Sequence, residues 1–198
     1  MQLMIQFLEN LESNTQIYAE FLGFLELVGG ALIEEQPDVS SLYMESAGLD
    51  LIHSMTQRTQ GKRDGLAHII VSFTPNTSNA RSRILEKLSD RFKSDLKNLG
   101  SILAHLSGYS VEDRMDSGIF DFYWYKAIKI ISYNYPSMKC CGIKILSEIS
   151  KFNISKLHLY LPQINRLADE DWWEIKAQIL IFCANQLDYV QGNNSQDF

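Results

Sequence analysis

The apolar residues between positions 81 and 106 recur at the spacing of one helix face. Steps of three and four residues separate Leu85, Leu88, Phe92, Leu96, Leu99, Leu103 and Leu106. Since an α-helix turns once in about 3.6 residues, such steps align the side chains along one side of the helix. The pattern predicts either one long helix over 81–106 or two helices joined near Ser94, with Ser94 as the cap of the second. Gly108 is a plausible terminator.

The same spacing predicts helices along most of the remaining chain. The first covers 3–11, the second runs from a cap near Thr15 to a stop at Gly29-Gly30, and the third covers 42–53 after a loop at 34–39, with Ser40 or Ser41 as its cap. Later helices cover 119–135, Pro136 to 151, 155–167 and Asp171 to 187. Residues 65–74 are ambiguous, because Ile69-Ile70-Val71 favours a strand by propensity while the helical context favours a buried helix. The prediction is an all-α fold, with a short irregular segment near 65–75 as the open alternative and a flexible tail over 191–198.

Three of these helices share one local pattern. It reads Leu96-Lys97-x-x-Gly100-x-x-Leu103, then Met138-Lys139-x-x-Gly142-x-x-Ile145, then Ile175-Lys176-x-x-Ile179-x-x-Phe182. The apolar residues form a seam on one helix face, the lysine points towards its edge, and a small residue lets a neighbouring helix approach closely. Helix pairs of this kind cannot bury their apolar faces alone, so neighbouring pairs stack.

The period of about 40 residues and the helix start Asp171-Trp172-Trp173-Glu174-Ile175-Lys176 resemble the HEAT/armadillo-like α-solenoids. The resemblance covers about residues 80–188. It implies stacked antiparallel helix pairs in a single repeat domain over 1–190, with a surface that binds proteins. Asp171-Trp172-Trp173 is also similar to the tryptophan-bearing inter-helix loops of tubulin-binding HEAT domains in cytoskeletal and ciliary proteins.

The charge is distributed unevenly. Residues 1–60 carry nine Asp or Glu and one basic residue, whereas residues 61–160 carry fifteen Lys or Arg and nine acidic residues. The net charge of −6 argues against nucleic acid as a partner, because binding there depends on neutralising phosphates. An acidic start and a basic middle also indicate intramolecular packing or self-association, so a homo-oligomer stays open.

Residues with catalytic chemistry are scattered along the chain. There is no phosphate-binding loop, dinucleotide fingerprint or serine-nucleophile motif, and no histidine has a second metal ligand at helical spacing. His53 and His105 read as structural and Cys183 as a core residue, while Cys140 reads as a thiol without an activating histidine. We therefore expect a protein that is not an enzyme and has no metal or cofactor.

Several features indicate an intracellular protein, cytoplasmic or nuclear. The first residues lack the basic region of a signal peptide, and no apolar run approaches the roughly 20 residues that cross a bilayer. The three cysteines are few and odd in number, which indicates a reducing compartment. We expect no membrane span.

Two groups of residues are candidate binding surfaces. The first is aromatic, since tyrosine and tryptophan are favoured interface anchors, although core packing is the alternative: Tyr123, Trp124, Tyr125, Trp172 and Trp173. The second is basic, and a solvated helix face is its alternative to a nucleic-acid or phosphoinositide stripe: Arg81, Arg83, Lys87, Arg91, Lys93 and Lys97. Together these features predict a scaffold or adaptor subunit that binds protein partners.

Overall fold

The computed structural model describes residues 2–12, 15–56, 62–109, 115–152 and 160–194, with side chains as far as residue 187 in the last range. Every regular element in these ranges is a helix, so the all-α prediction is confirmed for this part of the chain. The chain divides into two compact units, Met1–Tyr109 and Ser110–Phe198. The tail predicted over 191–198 belongs to the last helix as far as Asn194, and residues 195–198 lie outside the described residues.

The described elements of unit 1 are α1 (Gln2–Asn10), α2 (Gln16–Glu35), α3 (Pro37–Tyr43), a π-helical turn (Met44–Gly48), α4 (Leu49–Thr56), α5 (Arg63–Ser72), α6 (Ser78–Arg91), α7 (Leu96–Leu106) and a 3-10 turn (Ser107–Tyr109). Among them, helix α5 contacts both α2 and α7, while α4 contacts α6. The ambiguous segment at 65–74 is therefore a helix as far as Ser72. Leu66, Ile69 and Ile70 are fully buried on it, and this burial outweighs their strand propensity.

Two predicted boundaries around α2 and α3 are wrong. Helix α2 does not stop at Gly29-Gly30, because no described glycine adopts the positive φ that ends a helix. The expected loop over 34–39 shrinks to Gln36, since Pro37 occupies the first turn of α3, where its missing N–H costs nothing. Ser40 is consequently a buried helix residue and not a cap, and its hydroxyl donates to the Phe73 carbonyl at 2.8 Å.

The long leucine pattern over 81–106 forms two helices, α6 and α7. Asp95, and not Ser94, caps the second, because its carboxylate accepts a hydrogen bond from the Asn98 backbone N–H at 3.2 Å. Thr15 caps α2 as predicted, with its hydroxyl accepting from the Tyr18 N–H. Capping side chains thus define the helix starts that lie near polar residues.

The described helices of unit 2 are α8 (Ser117–Ile131), α9 (Pro136–Ile149), α10 (Leu161–Ala168) and α11 (Trp173–Asn194). Among them, α9 contacts both α8 and α11, and α10 contacts α11. Pro136 lies in the first turn of α9, as predicted, and Pro162 marks the start of α10. Residues 155–159 of the helix predicted over 155–167 lie outside the described residues.

The repeated pattern falls on α7, α9 and α11, and its glycine on α9 has the predicted role of close packing. A Cβ at Gly142 would lie 2.9 Å from the Ala127 carbonyl oxygen of α8. The lysine of the pattern does not always point to an edge. Lys139 is buried and its ammonium lies 2.5 Å from the Glu170 carboxylate, which supplies the countercharge that a buried cation needs.

Helix α2 has the length and apolar composition of a membrane-crossing helix, and no other helix in the described ranges does. Core helices of soluble proteins and signal sequences near the N-terminus share this length and composition, and 17% of the apolar stretch of α2 is buried. Here α2 contacts α3 and α5. Its Tyr18 hydroxyl donates to Asp64 at 3.0 Å, and its Leu22 carbonyl accepts from the His68 ring at 2.9 Å.

Two adjacent glycines of α2 provide a matched test of the α2–α5 contact. A Cβ at Gly29 would lie 2.1 Å from the Ser72 carbonyl oxygen, whereas one at Gly30 would meet nothing within 4 Å. We expect Gly29→Ala to lower the free energy of unfolding by about 1–3 kcal/mol, because the two helices must separate. Gly30→Ala should raise it by up to about 1 kcal/mol through helix propensity. Urea unfolding measures both, and equal shifts would contradict the contact.

Candidate protein-interaction surface

Helix α11 carries apolar side chains on two opposite faces. Ile175 and Phe182 are almost fully buried and form its inner face. Trp173, Leu180 and Leu187 are 70%, 70% and 62% exposed. Both sets repeat every seven residues, which is about two helical turns, so each set forms a stripe. Since two residues span about 200° around the axis, the exposed stripe lies opposite the buried one.

Small residues complete the exposed stripe. Ala177 and Ala184 fall between the large side chains, and the steps along Trp173, Ala177, Leu180, Ala184 and Leu187 alternate between four and three. We call these five residues the outer seam. Alternating steps of four and three are the spacing of the apolar seam by which one helix pairs with another. Unit 2 leaves this seam on its surface.

Further apolar side chains widen the outer seam into a patch. Trp172 and Ile181 lie beside it and are 55% and 52% exposed. With Trp173, Leu180 and Leu187 they expose about 400–500 Å² of apolar side chain. Contiguous patches of this size on a folded monomer often mark binding sites. Glu174 and Lys176 are exposed at its margin and give the patch a polar rim.

The aromatic candidates on α8 do not form one surface. Tyr123 is 4% exposed, which agrees with the core-packing alternative for this residue and not with a surface anchor. Trp124 is half-buried, with its ring 4.6 Å from that of Tyr160 in an edge-to-face contact. Tyr125 is 65% exposed. Successive side chains differ by about 100° around a helix, which is why three neighbours have three environments.

One of the cysteines, Cys183, differs from the sequence prediction. Cys183 is exposed and is not a core residue, because it follows the inward-facing Phe182 by one helical step. Burial raises the pKa of the Cys140 thiol, and the nearby Glu174 carboxylate raises it further. A raised pKa favours the neutral thiol over the thiolate nucleophile.

The acidic start of the chain packs against part of the basic helix. Glu45, in the π-helical turn, accepts from Arg83 and Lys87 of α6 at 3.0 Å each. Arg91 reaches Asp50 of α4 at 2.6 Å. These ion pairs realise the intramolecular packing that the charge asymmetry indicated and offset the charge of three residues in the proposed phosphate-binding stripe. Of the other basic candidates, Arg81 is half-buried, and Lys93 and Lys97 are exposed.

A cleft of about 510 Å³ lies beside these ion pairs. Its charged lining has both signs: Glu45, Asp50, Lys87, Asp90 and Arg91. The three carboxylates would repel a phosphate, and both cations already contact carboxylates. This cleft therefore lacks the surplus positive charge of an anion site.

A polar network between α2 and α5 was not foreseen from the sequence. The His68 ring contacts the Leu22 carbonyl through Nε2 and the Tyr109 hydroxyl through Nδ1, at 2.9 and 3.1 Å. Burial raises the pKa of Tyr109, and the Asp64 and Glu26 carboxylates raise it further. The bonds cross 46 and 41 positions of sequence, so no local pattern signals them. The network joins helices, and its role is structural.

His53 lies outside this network. Its ring is 4.7 Å from that of Phe92, which agrees with the structural role predicted for it.

Comparison with known proteins adds no relative to this picture. No protein-family model matches the chain, and no curated protein or solved structure matches it significantly. We therefore infer the function from the geometry of each unit.

Glu45 provides a test of the charge cluster in unit 1. Burial raises its pKa, but hydrogen bonds from Lys87 and Ser41 and the charge of Arg83 outweigh burial, so the pKa lies below its ordinary value of 4.5. A lowered pKa means that the charged form stabilises the fold at neutral pH, and that this contribution is lost as the pH falls through the folded-state pKa.

We expect Glu45→Gln to lower the free energy of unfolding at pH 7 by about 1–2 kcal/mol, because two cations lose their countercharge. The difference from the wild type should shrink as the pH falls below the ordinary carboxyl value, and urea unfolding over a pH series measures it. Glu86→Gln, at an exposed carboxylate of α6, is the control and should have little effect. A pH-independent difference at Glu45 would contradict the assigned ion pairs.

Proposed function

We propose that this chain is a non-catalytic protein–protein interaction module, a scaffold or adaptor subunit of an intracellular complex. The observation that carries the proposal is the outer seam of α11. It combines helix-pairing spacing with the exposed Trp173, the exposed Trp172 lies beside it, and the opposite face of the helix is already buried. No other exposed stripe in the described ranges of unit 2 has this spacing over four successive steps.

The chemistry of this surface is that of a binding patch. Tryptophan is enriched among residues whose truncation costs an interface more than about 2 kcal/mol, and such residues lie in apolar centres surrounded by polar rims. Here Trp173 and Leu180 lie in the centre, and Glu174 and Lys176 lie at the margin. The helix is already folded against α9 and α10, so a partner need not supply the free energy of ordering it.

The finer part of the proposal is a HEAT/armadillo-like stacking of helix pairs. Its support is that the repeated pattern lies on α7, α9 and α11, with buried residues at its eighth position: Leu103, Ile145 and Phe182. In stacked-repeat proteins each helix pair buries the face of the one before it, and an uncovered face at an end binds a further layer. The outer seam has the form of such an uncovered face.

The cytoskeletal version of this proposal has one specific support. Trp172 and Trp173 are both exposed where α10 connects to α11, the kind of inter-helix position at which tubulin-binding HEAT domains carry tryptophan. Asp169, Glu170 and Asp171 precede them, and this acidic run would repel the acidic surface of tubulin. The general interaction module is therefore the better supported function.

The test is affinity capture from native cell extract with the whole chain as bait. A partner retained by the wild type should be recovered at least ten-fold less by the Trp172→Ala/Trp173→Ala bait, since losing two anchors costs more than about 1.4 kcal/mol. The circular dichroism of this double variant should equal that of the wild type, because both tryptophan side chains are exposed. The matched control is Leu27→Ala/Tyr135→Ala, two exposed apolar residues elsewhere. Equal recovery by all three baits would refute this surface.

A further inference from the structure

We propose that the outer seam of α11 binds the outer seam of a second copy of this chain, with the two helices antiparallel. This inference rests on the proposed function, since it names the partner of the same surface. Its starting point is the order of side-chain sizes along the seam, which alternates between large and small: Trp173, Ala177, Leu180, Ala184, Leu187.

Antiparallel pairing makes this alternation complementary to itself. When Ala177 lies opposite Leu180 of the second copy, Trp173 lies opposite Ala184 of the second copy, and both contacts occur twice by symmetry. Trp173 and Leu180 then each enter the space above an alanine, as well-packed helix interfaces require, while Leu187 lies beyond the four paired positions. A parallel pair would set Trp173 against Trp173 and alanine against alanine, which overfills one layer and leaves a gap in the next.

The residues beside the seam permit this approach. Helix-pairing positions next to the seam hold Glu174 and Ile181 on one side and Lys176 and Cys183 on the other. In the antiparallel arrangement Glu174 lies near Ile181 of the second copy and Lys176 near Cys183 of the second copy. Among these four residues no pair of like charges is brought together, and the seam itself contains no charge that would need a partner on burial.

The available area matches a small specific dimer. The exposed apolar side chains contribute about 400–500 Å² per chain, so two copies would bury about 1,000 Å² with the margins of the patch included. Specific interfaces begin at about this size, and smaller ones are typical of transient contacts. The seam from Trp173 to Leu187 is about 21 Å long, too short to pair as isolated helices but sufficient between helices already held by their own units.

Sedimentation velocity over a concentration series, with the full chain, tests self-association. The wild type should form a dimer, and Leu180→Glu should remain a monomer, because it places a carboxylate at the centre of the contact in both copies. Leu27→Glu is the matched control, as Leu27 is 75% exposed and Leu180 70%, and it should still form a dimer. A monomeric wild type at every concentration, or a Leu180→Glu dimer as stable as the wild type, would overturn the proposal.

Cysteine cross-linking in a Cys183→Ser background tests the orientation. A mixture of Ala177→Cys chains and Leu180→Cys chains should form a disulfide-linked pair under mild oxidation faster than either variant alone. If Leu180→Cys chains link to each other as readily as the mixture does, the helices are parallel and the antiparallel assignment is wrong.

The same variants separate this inference from the proposed function. If the wild type is a monomer while Trp172→Ala/Trp173→Ala still loses a captured protein of different sequence, the surface binds another protein and only the self-association fails. If the chain forms dimers that Leu180→Glu does not disrupt, and capture is equal for all baits, both proposals fail. Unchanged circular dichroism of each variant excludes unfolding as the cause of a lost contact.

Discussion

Close packing around one central helix organises each unit of this protein. In unit 1, α5 contacts both α2 and α7, and in unit 2, α9 contacts both α8 and α11. The backbones approach closely at Gly29 and Gly142, where a Cβ would collide with Ser72 and with Ala127. Because a side chain at either position would separate the helices, these two contacts set how deeply the neighbouring apolar residues are buried.

Polar contacts between distant positions complete unit 1. Lys62, the residue before α5, donates to the carbonyl oxygens of Leu8 and Glu9 in α1, and the Glu45 carboxylate pairs with Arg83 and Lys87 of α6. Each contact satisfies a group that would be costly to leave unpaired near the interior. The basic stripe on α6 consequently has a structural role, and this weakens the case for phosphate recognition there.

Helix α11 differs from the central helices in having only one of its two apolar faces covered. Its Ile175 and Phe182 anchor it to unit 2, while Trp173 and Leu180 remain in contact with water. In the proposed interaction, this uncovered apolar face is where a partner would add a further layer. Burial of that face by the proposed partner would stabilise both the contact and the helix that carries it.

The sequence by itself determined the helical class and most helix starts, because spacing, caps and proline act within a few residues. The leucine steps over 81–106, the Thr15 cap and the turn at Pro136 were all visible there. The sequence also singles out Trp172 and Trp173 as candidate anchors. The seven-residue steps from Trp173 to Leu180 and Leu187 are present in it, but they are not part of the sequence prediction. Only the tertiary structure decided which faces are covered. In the tertiary structure Tyr123 and Lys139 are buried, Cys183 is exposed and α2 continues through Gly29. The exposure of a side chain depends on which distant helix lies against it, and the spacing of nearby residues does not identify that helix.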